Sequence, residues 1–311
     1  MDVKKVLIIG FGRMGLTHYS ILNMLLPGVE FHIIESNKRI RHLFKKNFNW
    51  LHFYSNESVL PKSNFDLTII TTPPFIHSEL VERALKRKDK NIFVEKPFGG
   101  FMNDSVTYTG AVFVGYVLRF NPCVQWIKKN INPSDITRIS GKYYSNTIES
   151  KPKGWRNGSY SGVLNEMGSH ILDLFNFIVG LKGARVVNAS IESIYSDADD
   201  IVNAKLTNDN VIFELDLNWV DKRYRKPEFS LTIDLKNGEH FHLDQQKITK
   251  YSSGNEKEQI SVATMPSNIP YYLRGIDFTL QMEKLISSRE DLCDLNNALL
   301  VNCTMKNILN A

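Results

Sequence analysis

The chain has 311 residues, 38 Lys+Arg against 33 Asp+Glu for a formal net charge of +5, 42% hydrophobic and 11% aromatic residues, and 3 cysteines. That balance excludes disordered, collagenous and coiled-coil polypeptides, and at about 150 residues per domain the length predicts two domains, each able to bury a core. Cys123, Cys293 and Cys303 are widely spaced and form no C-x-x-C pair, and no long apolar run or cleavable leader is visible, so a protein of the reducing cytoplasm without disulfides, zinc knuckle or membrane span is expected.

Val3 to Ile9 is a β-rich apolar run that stops at Gly10. Gly10-Phe11-Gly12-Arg13-Met14-Gly15 then supplies G-x-G-x-x-G ahead of a helical stretch from Leu16 to Leu25. In a dinucleotide site the first glycine makes the tight turn, the second lets pyrophosphate approach the backbone, and the third lets helix pack on strand. The helix N-terminus then faces the phosphates. A lone glycine fingerprint is weak; its context carries it. A second strand, Val29 to Ile34, ends at Glu35, where a carboxylate can accept hydrogen bonds from adenosine ribose hydroxyls, which favours NAD. Ser36-Asn37-Lys38-Arg39 directly behind could instead hold a 2′-phosphate and keeps NADP as the alternative.

Phe65 to Thr71 reads as a buried parallel strand, followed by Thr72-Pro73-Pro74 and a helix from Ile76 to about Lys86. Ligands of an open parallel sheet lie beyond the carboxyl ends of its strands, so Thr71, Thr72, Pro73 and His77 are expected beside the cofactor. His77 reads equally well as a capping or surface histidine. Asn91 to Val94 is a short strand ending in Glu95-Lys96-Pro97, which brings a charged pair to the same strand ends. The basic run Lys86-Arg87-Lys88-Asp89-Lys90 reads as a solvated helix end. Between residues 136 and 262, segments such as Ile136 to Tyr144, Val186 to Ile194, Ile201 to Leu206, Val211 to Val220, Phe229 to Leu235 and His240 to Leu243 read as strands, with Asn237-Gly238 the clearest hairpin turn.

The glycine fingerprint, Thr-Pro-Pro-x-x-His and Glu-Lys-Pro, in this order and spacing, resemble the glucose-fructose oxidoreductase / inositol dehydrogenase / MocA family. Gly115-Tyr116-Val117-Leu118-Arg119-Phe120-Asn121-Pro122 is similar to that family's crossing into its second domain. Ser161 to Asp173, with Gly168-Ser169-His170, is similar to its active-site helix, and Asp277-Phe278 with the stretch Asn296 to Leu309 to its C-terminal segment. The resemblance covers essentially the whole chain. It implies an α/β fold: a Rossmann dinucleotide-binding domain, residues 1–117, and an α/β domain with a large, open, mostly antiparallel sheet, residues 118–311, whose outer face would mediate a homodimer or homotetramer. Residues 97–114 depart from the pattern, because a glycine-rich segment stands where the family usually carries a longer amphipathic helix.

Glu166, His170 and Asp173 stand at i, i+4 and i+7 and so share one helix face. Oxidising a carbinol requires a base for its hydroxyl proton while a cofactor takes the hydride. His170 is the natural candidate, because imidazole titrates near neutral pH. Lys96 could hydrogen-bond or protonate the same oxygen, with the roles exchangeable. The family usually carries Asp where Glu166 stands; the longer side chain could orient substrate hydroxyls or hold Lys96. Asp173 would orient His170 or cap locally, and with Asn165 it counts among the substrate-side residues. Trp155-Arg156 could close over substrate, the Arg meeting phosphate or carboxylate, and Arg119 and Asn121 could face substrate at the domain junction. The glycine loop, Gly10, Phe11, Gly12, Arg13, Met14 and Gly15, with Glu35, Thr71, Thr72, Pro73, His77, Glu95 and Lys96, makes up the expected cofactor side.

The resulting expectation is an NAD(P)-dependent oxidoreductase acting on a secondary alcohol of a sugar, cyclitol or nucleotide-linked sugar, the last fitting surface-polysaccharide assembly. The alternatives are an NAD-dependent glycosidase working by transient oxidation and elimination, and a cofactor-binding regulator without catalysis, against which the joint presence of Lys96 and His170 argues. The 8 histidines show no metal-ligand spacing, so no metal is expected. No basic stripe with interleaved aromatics points to nucleic acid.

Overall fold

A computed structural model describes residues 3–99, 111–153, 161–208, 210–252, 257–262 and 274–311. The chain divides into two compact units, Met1–Tyr116 with Ser267–Leu295, and Val117–Pro266 with Asn296–Ala311.

The first unit begins with strands β1 (Lys5–Ile9), β2 (Glu30–Ile34), β3 (His52–Tyr54), β4 (Leu67–Ile70), β5 (Asn91–Val94) and β6 (Ala111–Val114). All pair parallel in the order β6-β5-β4-β1-β2-β3. Every residue of β4 and β5 is buried, the mark of a parallel sheet covered on both faces, and their continuous apolar runs made them readable from sequence. The connecting helices are α1 (Arg13–Leu25), α2 (Lys38–Asn47) and α3 (His77–Lys86). α1 buries Thr17, His18, Ile21 and Leu22 at helical spacing. α2 fully buries none of its residues but packs Phe44 edge-on against Phe11 at 4.9 Å between ring centroids; at its start Asn37 accepts from Arg39 N and Ile40 N, and Lys45 and Lys46 stand in the last turn.

The second unit opens with a 3₁₀ turn, Val117–Phe120, and α4 (Pro122–Asn130). Its sheet contains β7 (Ile136–Tyr144), β8 (Arg185–Glu192), β9 (Ile201–Thr207), β10 (Ile212–Asn218), β11 (Glu228–Leu235), β12 (His240–Leu243), β13 (Ile248–Tyr251) and β14 (Lys257–Ile260). The order is β14-β13-β12-β11-β7-β10-β9-β8, antiparallel except for β7 with β10. Burial alternates along β9, β10 and β11, so one face is packed and the other solvated. α5 (Ser169–Ile178) lies on the packed face so closely that a side chain at Gly141 of β7 would run into Ile171 and Phe175. The solvated face carries charge pairs, among them Arg138 with Asp234 at 2.7 Å and Lys205 with Glu214 at 3.8 Å. Gly238, at φ +83°, turns β11 into β12, where the sequence placed a hairpin.

The division expected at 117/118 misses a return of the chain. α6 (Ile276–Ile286) packs against α1, and the two-residue β15 (Cys293–Asp294) pairs antiparallel with β6, so this segment completes the first unit before α7 (Leu295–Leu309). Two short tertiary contacts decide this, and neither has a local sequence pattern. No helix among the described residues is long and apolar enough to cross a membrane.

Candidate active site

The glycine loop is shaped by what each glycine faces. Gly10 sits at φ +90°, and a Cβ there would press on the Thr71 carbonyl oxygen at 3.1 Å. Any side chain at Gly15 would collide with the Gly10 carbonyl oxygen. Among the described residues, a Cβ at Gly12 would meet nothing within 4 Å. Protein therefore closes one side of the loop and leaves the other open, the arrangement needed for a pyrophosphate to approach the backbone. Gly12 is also the N-cap of α1, which has neither a side-chain cap nor an acidic residue in its first turn, so its N–H groups and dipole suit an anion.

The surrounding residues hold that loop in shape. Thr71 Oγ1 donates to the Gly10 carbonyl at 2.6 Å. Glu35, 8% exposed at the end of β2, accepts from Phe11 N at 3.0 Å through Oε2 and from Asn37 N at 2.8 Å through Oε1. Each carboxylate oxygen has a second lone pair for a ribose hydroxyl. Thr72 and Pro73 are half-buried beyond β4.

His77 has a different role from the cofactor contact expected of it. It is fully buried, with Nδ1 3.0 Å from the Pro97 carbonyl oxygen and Nε2 2.8 Å from that of Thr72. Burial lowers its pKa against the opposing pull of the two carbonyls, and the ring fills the space between the loop after β4 and the loop after β5, donating to one of the two carbonyls when neutral. Lys96 is half-buried, and its peptide bond to Pro97 is cis. Glu95 Oε1 lies 2.6 Å from Nε2 of His18, a buried residue on α1 between the Phe93 and Phe278 rings. His18 escaped the sequence reading. Its place one turn beyond Met14, on the helix face that returns to the glycine loop, was the available signal.

In the second unit, Leu164–Gly168 forms a π-helical turn that runs directly into α5. Glu166, His170 and Asp173 therefore do not lie on one uniform α-helix; the wider turn falls between Glu166 and His170. Gly168 lets the helix approach β10, since a Cβ there would stand 2.5 Å from Leu217 Cδ1. His170 is buried with its ring centroid 6.3 Å from that of Tyr143, and Glu166 is half-buried. Asn165 donates to the Ser161 carbonyl at 3.1 Å. The start of this helix is clamped by Asp199, whose Oδ2 accepts from Leu164 N at 2.6 Å. Burial pushes the Asp199 carboxyl up to about 6, with the Leu164 hydrogen bond opposing.

Three residues expected on the substrate side, Arg119, Asn121 and Asp173, have structural partners. Arg119 and Asp173 form a bidentate ion pair, Nε to Oδ2 at 2.7 Å and Nη2 to Oδ1 at 2.6 Å, with both side chains at most 4% exposed. Arg119 also lies over the Phe177 ring at 4.8 Å. Asn121 caps α4, accepting from Cys123 N and Val124 N and donating to the Gln245 carbonyl at 3.0 Å. These pairings join residues distant in sequence, which local spacing does not reveal. Trp155 and Arg156 lie outside the described residues, as do residues 100–110 of the shortened segment.

A parallel sheet with an open glycine loop defines a Rossmann dinucleotide-binding unit, and with a second, large, mostly antiparallel sheet it gives the Gfo/Idh/MocA fold. Residues 4–104 match the model of the Gfo/Idh/MocA oxidoreductase family, NAD-binding Rossmann fold. The chain is 24% identical over 186 residues to inositol 2-dehydrogenase 1 of Paenarthrobacter aurescens, covering 57% of this chain and 54% of that protein. It is 27% identical over 211 residues to levoglucosan dehydrogenase of Pseudarthrobacter phenanthrenivorans, covering 60% and 53%. The matched region thus spans about half the length of these curated relatives. Among solved structures, levoglucosan dehydrogenase in complex with NADH superposes with a TM-score of 0.81 at 19% identity, covering 99% of this chain and 96% of that one. UDP-N-acetylglucosamine 3-dehydrogenase from Acidithiobacillus ferrooxidans gives 0.76 at 16% identity, covering 100% and 98%.

Proposed function

We propose that the chain is an NAD-dependent oxidoreductase acting on a secondary alcohol of a sugar, cyclitol or nucleotide-linked sugar. The observation that carries this reading is the open side of the loop at Gly12, set on an uncapped helix N-terminus with the buried Glu35 carboxylate behind it. The residues present fit a dinucleotide: the α1 N–H groups and Gly12 would hold the pyrophosphate, and Glu35 the adenosine ribose hydroxyls. A negative charge at Glu35 also repels a 2′-phosphate, which favours NAD over NADP. Bound NAD supplies the hydride acceptor that no side chain can provide.

The protein's own share is proton handling and positioning. Lys96, delivered by the end of β5, would hydrogen-bond the reacting oxygen. An imidazole nitrogen of His170 would take the hydroxyl proton during oxidation and return it in the reverse direction. Glu166 would orient neighbouring substrate hydroxyls, and Glu95, paired with His18, would fix the segment that carries Lys96. The named activities of the relatives, on inositol, levoglucosan and a UDP-sugar, support the substrate class. The nucleotide-linked branch, in surface-polysaccharide assembly, is further supported by the mildly basic chain. A cytoplasmic homodimer or homotetramer completes the reading.

The test is a calorimetric titration with NADH and NADPH, followed by absorbance at 340 nm against a panel of polyols, sugars and UDP-sugars. Submillimolar NADH binding and an absorbance change with at least one polyol are expected. Absence of NADH binding would refute the proposal. Glu35→Ser should weaken NADH more than NADPH, and an unchanged ratio would remove Glu35 from cofactor selection.

A further inference from the structure

Arg274 opens the segment leading into α6 and so belongs to the first unit, with the glycine loop. Its Nη1 donates to the Sδ of Met14, inside the glycine fingerprint, at 3.2 Å, and its guanidinium lies over the Phe278 ring at 5.4 Å. A thioether is a weak acceptor for a group with five N–H donors, and among the described residues no carboxylate forms an ion pair with it. Partial burial and the charge of Arg13 both work against its cation, and only the more modest pull of Glu95 works for it. Through Met14 the Arg274 guanidinium thus stands beside a loop that is open at Gly12 and a helix N-terminus without an acidic residue, close enough to Arg13 to be disfavoured by its charge. Such crowding of like charge is costly until an anion arrives.

We propose that Arg274 is a cofactor-binding residue that pairs with the pyrophosphate of a dinucleotide seated on the Gly10–Gly15 loop. This rests on the dinucleotide reading above and adds to it a contact supplied from a part of the sequence far beyond the fingerprint. A guanidinium can meet two phosphate oxygens in parallel, and the Phe278 ring beneath it fixes its plane without competing for its donors.

The experiment uses the full chain and its R274Q and R274K variants, titrated with NADH and with ADP-ribose, which carries the pyrophosphate but no nicotinamide. Charge-assisted hydrogen bonds of this kind correspond to roughly 10- to 100-fold in affinity. R274Q should lose about that factor for both ligands, and R274K, which keeps the charge without the planar fork, should fall between R274Q and the parent. Thermal unfolding without ligand should be no lower for R274Q than for the parent, because the substitution removes a charge disfavoured by partial burial and by Arg13. If the parent binds NADH and both variants bind within twofold of it, Arg274 is only a packing residue on Phe278 and the proposal is overturned. If the parent binds neither ligand, the dinucleotide reading itself fails.

Discussion

The two units place their chemistry at different depths. In the first, β4 and β5 are buried along their whole length, and the residues proposed for cofactor and catalysis sit just beyond strand ends, at Gly12, Glu35, Thr72 and Lys96. In the second, Glu166, His170 and Asp173 occur on a helix that is also a core element, lying on β7 and β10. The proposed chemistry and the packing call on the same residues there, and Asp173 is taken up in a buried pair with Arg119. A motif at a strand end can be read as function almost directly. One on a core helix needs the structure to separate ligands from braces.

The largest effects should separate residues proposed for the chemistry from residues that brace the fold. Lys96→Ala and His170→Ala should lower turnover by about 100- to 10,000-fold with NADH affinity nearly unchanged, measured by steady-state kinetics and by titration. Full turnover in both variants would remove them from the chemistry. Asp173→Ala should instead act on stability, because it strands a buried guanidinium: a loss of about 3–5 kcal/mol is expected in urea unfolding. A loss below about 1 kcal/mol would mean that the pair is not holding α5.

Asp199 gives a pH-dependent version of the same contrast. Its carboxyl is raised by burial from 3.8 to about 6, so between those values the folded chain binds more protons than the unfolded one. Its stabilising contribution is present in acid and is lost as pH rises from about 4 through 6, on the order of 2–3 kcal/mol in all. Asp199→Asn keeps an oxygen to accept from Leu164 N and should flatten stability across that window; an unchanged slope would place the titration elsewhere. The smallest effect on folding sharpens the picture of the first unit. Gly15→Ala should destabilise by about 1–3 kcal/mol, since its methyl meets the Gly10 carbonyl. Gly12→Ala should change stability by only about 0.5 kcal/mol yet weaken NADH binding, because that methyl occupies space no protein atom uses. Equal stability losses would show that the open side of the loop is not open.

Much of the fold was legible where one local pattern sufficed. β5, β7 and β12 have the limits read from the sequence, because a continuous or alternating apolar run ends at a charged or turn residue. α2 was missed because its apolar stripe is only Ile40, Leu43 and Phe44 amid charged and polar residues, and β15 because a two-residue strand exists only through its partner. In the site, the glycine loop and Glu35 followed from spacing alone. The brace role of His77, the pairing of Arg119 with Asp173 and the clamp of Asp199 on Leu164 depend on partners 20, 54 and 35 residues away. The π turn shifts the register that ideal helical spacing assigned to Glu166.

The late return of the chain to β6 bears on how this protein can be taken apart. A fragment ending near residue 117 would contain every part of the glycine fingerprint and still lack α6 and β15. It would leave the apolar edge of β6 without its antiparallel neighbour, a surface that invites pairing with other chains. The nucleotide-binding half is therefore not a transplantable cassette: a portable version would need Ser267–Leu295 rejoined to it by a short engineered linker, and simple truncation should yield aggregates.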